Sequence, residues 1–368
     1  MGKPLLFLAA GDVSGDNAAG RVVAALIRQR PDLEVFGLGG SRLKSLGQEQ
    51  LAEPGRLTVL GFWEVAKRYP FFRRLFYRCV DEIKARRPSC VLLVDYPGFN
   101  LRLARKVKAL GIPVVYYISP QVWAWGKRRM AAIRKYVDFM LLILPFEESF
   151  YVKSGVPTRF VGHYLLEDIP REYIQSRPVH ERQIALLPGS RPQEIERMLP
   201  GMLKAAGHLH RRHGTSAVVA GIRGACDYER LLQRDGDGGV TVCYDDPRTV
   251  LYESGLVLTA SGTATLEAGI IGRPMVIVYR TGFITYHIAR RLVKLDMIGL
   301  VNLVLGEKVV PELVQGAATP ERMAVELERL LTDDACRSGV CANLNRLPAL
   351  LGGEGASQRV AEIVGSYI

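Results

Sequence analysis

The sequence predicts an α/β protein made of two Rossmann-like domains, each a parallel sheet flanked by helices, with a helical C-terminal tail that can pack back across either domain. Three observations predict it. Short apolar runs alternate with amphipathic stretches, the alternation stops once in a polar segment and restarts, and turns rich in Gly, Ser and Asp follow the apolar runs. In the first half the strand candidates are Pro4 to Ala10, Val35 to Leu38, Cys90 to Asp95, Pro113 to Ile118, Phe139 to Leu144 and Arg159 to Val161. Between them, stretches such as Arg21 to Arg30 and Leu101 to Leu110 carry apolar residues at helical spacing. A segment rich in charge and proline, Glu167 to Arg182, precedes the restart at Ile184 to Leu187, which continues through Ala217 to Ala220, Val240 to Cys243, Leu256 to Thr259 and Pro274 to Val278. From about Thr319 the chain reads as helices only, ending in Ala356 to Ile368. The restart puts the expected domains at 1–170 and 171–344.

With 368 residues the chain exceeds one ordinary core and suits two, and a composition 48% hydrophobic and 23% charged is that of a globular protein. The N-terminal apolar run ends at Gly11 and Asp12, too early for a signal peptide, so a first strand is expected there. No stretch reaches the roughly 18 apolar residues of a membrane span, which points to a cytoplasmic protein that meets lipid only from its surface. Cys79, Cys90, Cys226, Cys243, Cys336 and Cys341 form no C-x-x-C pair, so buried thiols are expected rather than zinc or disulfides. A net charge of +12 calls for an anionic partner: a phosphate-bearing substrate, an anionic membrane or nucleic acid.

Parallel sheets bind ligands where strands end and helices begin, so the residues just after each strand are the candidates. Gly11, Asp12, Val13, Ser14, Gly15 and Asp16 open a helix after the first strand; they match neither a dinucleotide fingerprint nor a Walker loop, and Ser14 or Asp16 can also be a plain helix cap. Asp95, followed by Tyr96, Pro97, Gly98, Phe99 and Asn100, is placed either as a general base or as a cap for the helix near Asn100. Trp123 and Trp125 follow another strand and either wall a pocket or bury against a helix. Gly189, Ser190 and Arg191 suit a diphosphate, unless Arg191 is spent on Glu194 or Glu196. Ser261, Gly262 and Thr263 repeat the theme, with Glu267 expected in the first helical turn as a ribose acceptor or a capping-box carboxylate.

Two further patterns have ordinary readings beside sharper ones. His208, His210 and His213 crowd a helix end at spacings that do not favour a shared metal, and are expected to be solvated. Val65 to Arg87, with Phe71, Phe72, Arg73, Arg74, Leu75 and Phe76, is either a basic helix covering the sheet or a patch that docks on anionic lipid.

Taken in order, GDVSGD, GLGGSRL, VLGFWEV, DYPGFN, YISPQVWAW, LPFEESFY, FVGH, LLPGSR, ASGTATLE, PMVIVYR and NLVLGEKVVPELVQ resemble the lipid-A-disaccharide synthases, inverting glycosyltransferases of GT-B architecture. The resemblance implies transfer of 2,3-diacylglucosamine from its UDP derivative to the 6-hydroxyl of 2,3-diacylglucosamine 1-phosphate, releasing UDP. It implies that the C-terminal helices of about 345–368 pack back on the N-terminal domain. It implies Asp95 as general base and Arg191 as the cation for diphosphate charge. Ser190, Thr263, Glu267, Asn302, Glu312 and Gln315 would line the UDP side, and Gly11, Asp12, Ser14, Gly15, Asp16, Trp123 and Trp125 the acceptor side. Asp12 stands where the family more usually has Glu, and Gly98 where some members have a second Asp. No metal or other cofactor is implied. The implied setting is the inner membrane surface with its anionic lipid, entered from the cytoplasm, with a homodimer as a further expected assembly and no nucleic acid. The competing enzymatic readings are a peptidoglycan N-acetylglucosaminyltransferase or a UDP-N-acetylglucosamine epimerase; a protein that only binds membrane or nucleic acid would not need this clustering of acids and arginine at strand ends.

Overall fold

Leucine- and valine-rich runs, apolar on both faces, build the centre of the first sheet, whose strands are β1 (Leu5–Ala10), β2 (Glu34–Leu38), β3 (Glu49–Gln50), β4 (Cys90–Val94), β5 (Val114–Tyr117), β6 (Phe139–Leu142) and β7 (Thr158–Phe160). They lie in the order β3-β2-β1-β4-β5-β6-β7, all parallel. The second sheet contains β8 (His180–Leu187), β9 (Ser216–Ala220), β10 (Val240–Cys243), β11 (Ser254–Ala260), β12 (Met275–Tyr279) and β13 (Glu312–Val314), in the order β10-β9-β8-β11-β12-β13, also parallel. Sheets of this kind need helices on both faces, which is why their central strands read as unbroken apolar runs. The computed structural model describes residues 3–52, 69–122, 127–236, 238–280 and 297–368.

The chain divides into two units, Met1–Tyr164 with Gly352–Ile368, and Leu165–Leu351. The first break falls at the start of the short helix Leu165–Asp168, before the polar stretch that suggested a boundary. The return to unit 1 comes after the helix Leu347–Leu350, which packs within unit 2; the helix Ala356–Gly365 lies on the helix Val13–Gln29. The core of unit 1 includes a cluster around Phe7, Leu93, Leu103, Tyr116 and Tyr151, with Leu6, Leu8, Val22 and Leu26 buried outside it.

Topology fixes where chemistry can happen. In unit 1 the strand order reverses between β1 and β4, and in unit 2 between β8 and β11. The connections leaving these neighbouring strands go to opposite faces, which opens a crevice at their carboxyl ends. In register, Ala10 pairs with Val94 and Leu187 with Thr259. Gly11–Asp12 and Asp95 therefore leave one switch point, and Gly189–Arg191 and Ser261–Thr263 the other.

The cysteine expectation is corrected in part. Cys79 and Cys90 are buried, with thiols pushed up to about 12 by burial, while the other four are half-exposed. No helix among the described residues is long and apolar enough to cross a membrane.

Candidate functional site

At the unit 1 switch point the backbone is held in an unusual shape. Asp95 and Tyr96 both have left-handed φ values, 45° and 47°. A non-glycine residue there costs on the order of 1–3 kcal/mol and persists only where its surroundings force it. The force comes from below: the Asp95 carbonyl accepts from Asn100 Nδ2 at 2.8 Å and from the buried Tyr116 hydroxyl, and its N–H donates to the Tyr117 carbonyl at 3.0 Å. The helix Pro97–Lys108 begins behind Tyr96 with no side-chain cap, so the capping role open to Asp95 from sequence is not the one it plays. Burial first, and the charge of Asp12 second, raise the Asp95 carboxyl to about 6. A carboxylate at that value is poised to accept a proton near neutrality.

The neighbouring acids divide by task. Asp12 is the N-cap of the helix Val13–Gln29, taking the Gly15 N–H at 2.7 Å, while its side chain stays exposed beside Ser14. Asp16, expected on the acceptor side, is buried, and its carboxylate accepts from the N–H groups of Gly40, Arg42 and Leu43 at 2.7, 2.9 and 3.3 Å. It pins the loop after β2 and has no face left for a substrate. Gly11 and Gly15 serve local packing: a Cβ on Gly11 would meet the Tyr96 ring at 2.4 Å, and one on Gly15 would meet Asp12 Oδ1 at 2.9 Å. Trp123 and Trp125 lie outside the described residues.

At the unit 2 switch point β8 ends in Gly189, whose φ of +114° only glycine tolerates, and a Cβ there would press on Glu194 at 2.8–2.9 Å. Ser190 and Arg191 are exposed, and Arg191 is the N-cap residue of the 22-residue helix Pro192–His213. Its guanidinium also reaches Glu194 at 3.4 Å. An exposed pair of that length is worth well under 1 kcal/mol and leaves the Arg191 fork able to turn to a ligand. Free N–H groups, a helix dipole and a guanidinium together make an anion site.

On the other side of the crevice Gly262 precedes the helix Thr263–Ile271 without a side-chain cap, Thr263 is exposed, and the Ser261 hydroxyl donates to the Ile298 carbonyl at 3.0 Å. Glu267 lies one turn further on than expected and caps nothing. Its Oε1 accepts from Arg248 Nε at 2.9 Å. Burial raises its carboxyl, and the Arg248 charge opposes that shift.

Two expected UDP contacts turn out to hold the fold. Asn302 is fully buried: its amide donates to the Val310 carbonyl and to Glu312 at 2.9 and 2.8 Å, and its oxygen accepts from Val309 and Val310 at 3.0 and 3.1 Å. Glu312 is consumed by the N–H groups of Ile298 and Gly299 at 2.8 and 2.9 Å. They brace the start of the helix Leu300–Leu305 rather than line it. Gln315 differs: it has φ of 54° and a buried Nε2 with no partner among the described residues.

The lipid patch needs a similar correction. Of the helix Tyr69–Arg86, Leu75 is a core residue, and Phe71, Phe72 and Phe76 pack against the core. Leu75, Cys79 and Ile83 form the buried stripe, at four-residue spacing. The outward face carries Tyr69, Tyr77, Arg73, Arg74 and Arg78, beside a groove of about 1020 Å³. Two of the three histidines are partnered rather than solvated: His210 bonds the Thr215 carbonyl and His213 bonds Glu328, both at 2.7 Å. No group of three potential metal ligands occurs among the described residues.

Comparison with known proteins meets this geometry from outside. The sequence profile described as Lipid-A-disaccharide synthetase matches residues 6–344. The chain belongs to this family. Relatives named lipid-A-disaccharide synthase include one from Myxococcus xanthus, 42% identical over 98% of this chain and 97% of its own, and one from Anaeromyxobacter dehalogenans, 44% identical over 98% and 96%. Among solved structures, Acinetobacter baumannii MurG superposes with a TM-score of 0.62 at 15% identity, covering 99% of this chain and all of its own (100%). The UDP-GlcNAc 2-epimerase of Neisseria meningitidis bound to UDP-GlcNAc gives 0.64 at 11%, over 99% and 100%. At such identities these likenesses speak for the fold, the two-sheet GT-B architecture expected of a lipid-A-disaccharide synthetase. Arg248 is the functional neighbour that sequence reasoning missed: a lone arginine 19 positions before Glu267 shows no motif, and only the fold brings them together.

Proposed function

We propose that this chain transfers 2,3-diacylglucosamine from UDP-2,3-diacylglucosamine to the 6-hydroxyl of 2,3-diacylglucosamine 1-phosphate, forming the β-1,6-linked disaccharide 1-phosphate and UDP. The observation that carries the reading is the division of labour between the two switch points: an uncapped carboxyl raised to about 6 at one, a glycine-serine-arginine helix start at the other. Asp95 takes the proton of the attacking hydroxyl. Attack from the face opposite UDP inverts the anomeric centre. The leaving diphosphate gains charge as the bond breaks, and Arg191 with the N–H groups around Ser190 stabilises it. Gln315 and Thr263 offer further donors to the nucleotide. No step calls for a divalent ion, so EDTA should leave turnover unchanged, and loss restored by magnesium would refute that.

Both substrates carry acyl chains, which requires contact with a bilayer. The outward arginines and tyrosines of the helix Tyr69–Arg86 supply charge and interfacial aromatics for anionic lipid. Replacing Tyr69, Arg73, Arg74 and Tyr77 with Ser, which spares the core, should weaken binding to anionic vesicles while UDP binding survives.

The direct test incubates wild type and Asp95→Asn with both substrates and follows UDP and disaccharide by mass spectrometry. Disaccharide from wild type and almost none from the folded variant supports the assignment. Full activity in the variant places the base elsewhere. UDP binding without any product removes the acceptor assignment.

A further inference from the structure

Glu267 and Arg248 form the most elaborate ionic arrangement of unit 2 that the reaction as written does not use. Arg248 sits near the start of the helix Pro247–Glu253, whose N-cap Asp246 accepts the Arg248 N–H at 2.9 Å. Its side chain then reaches three ways. Nε donates to Glu267 Oε1 at 2.9 Å, Nη1 donates to the Asp168 carbonyl at 3.1 Å, and the Asp168 and Asp246 carboxylates lie at 3.8 and 3.9 Å. The Arg248 and Glu267 side chains are only 22% and 13% exposed, so the contact is sheltered from the screening that weakens surface pairs.

The pair holds only half of the carboxylate. Oε2 of Glu267 has no partner among the described residues. Glu267 stands four residues after Thr263, so the two share one face of the helix that leaves the switch point. A carboxyl oxygen on that face, fixed in direction by the bond to Arg248, is an acceptor for a ligand hydroxyl. A neighbouring hydroxyl pair, as on a ribose, is the group a carboxylate accepts from most directly.

We infer that Arg248 is a positioning residue for the donor: it clamps one oxygen of Glu267 so that the other meets the ribose hydroxyls of UDP, and it ties that contact to the helix Leu165–Asp168. This rests on the UDP-donor reading above and adds to it the residue that makes the ribose contact selective. Lysine would not reproduce it, because a point charge cannot engage Glu267 and the Asp168 carbonyl in fixed directions as a planar fork does.

The test measures dissociation constants for UDP and for 2′-deoxyuridine diphosphate by calorimetry on wild type, Arg248→Ala, Arg248→Lys and Glu267→Gln. A hydrogen bond to a charged acceptor is worth about tenfold in affinity or more. Wild type should therefore prefer UDP by about tenfold, and the preference should fall to about twofold or less in Arg248→Ala and in Glu267→Gln, with Arg248→Lys between them. Arg248→Lys keeps the buried positive charge and serves as the folded variant if the alanine form does not fold. If the arginine variants weaken both nucleotides equally and keep the preference, Arg248 is merely structural and the inference is overturned. If wild type binds UDP but shows no preference, Glu267 does not meet the ribose and the inference falls while the donor reading stands. If wild type binds neither nucleotide, the donor reading itself fails and takes the inference with it.

Discussion

The two sheets carry the same device, a strand-order reversal with loops leaving to either side, and furnish it in opposite ways. In unit 1 the acid beside the crevice is lightly held: Asp95 caps no helix, sits on a left-handed backbone, takes one backbone N–H, that of Tyr96, and feels a second acid, Asp12. In unit 2 the acids already hold partners, Glu312 two backbone N–H groups and Glu267 the Arg248 guanidinium through one of its two oxygens, and the exposed donors are Ser190, Arg191 and Thr263. On the proposed reading, one crevice takes a proton and the other receives negative charge. What decides the chemistry is which groups the local hydrogen bonds leave over.

The contrast can be broken at its strongest point first. Asp95→Asn should lower kcat by roughly 10²–10⁴-fold without lowering the melting temperature, since the buried carboxyl it removes is held off its ordinary value; an active variant would erase the distinction between the crevices. Arg191→Ala should cost on the order of 10²-fold in kcat while leaving the pH profile unchanged, read by steady-state kinetics across pH. Glu312→Ala tests whether the unit 2 acids are structural. It strands two N–H groups and the Asn302 amide, so denaturant melts should show a loss of about 1–3 kcal/mol even in the absence of nucleotide.

The smallest expected effect concerns Asp12. Because the Asp95 carboxyl is raised, it is protonated below about pH 6, and kcat/KM should fall about tenfold per pH unit on the acid side of that value. Asp12→Asn keeps the helix cap and removes the charge, so the acid limb should move to lower pH. A limb that does not move would show that burial alone sets the value.

How much of this was legible in the sequence differs by residue. The central strands announced themselves through apolar runs, but β3 (Glu49–Gln50) and β13 (Glu312–Val314) are short edge strands with no pattern to read. Asp95 and Arg191 stand out as candidates because they follow strand ends, but position leaves each with an ordinary role as well, and the family resemblance is what favours Asp95 as the base. Asp16, Asn302 and Glu312 were assigned to ligands by family resemblance, yet a motif does not say whether a polar group faces a substrate or its own backbone. Leu75 was readable in principle, since Cys79 and Ile83 follow it on one helical stripe, but the clustered aromatics drew attention to the wrong face. The Arg248 pairing was not readable, because it joins two helices through tertiary structure alone.

Unit 1 is assembled from both ends of the described chain, its helix Val13–Gln29 covered by the helix Ala356–Gly365, with Leu26 of the first helix beside Gly365. During synthesis this imposes an order of events. All of unit 2 is translated before the covering helix exists, and at typical elongation rates its length corresponds to a delay of roughly 10–40 s. For that interval the apolar flank of Val13–Gln29 stands open on the ribosome. Unit 2 has its last residue at Leu351, whereas unit 1 must wait for the helix Ala356–Gly365.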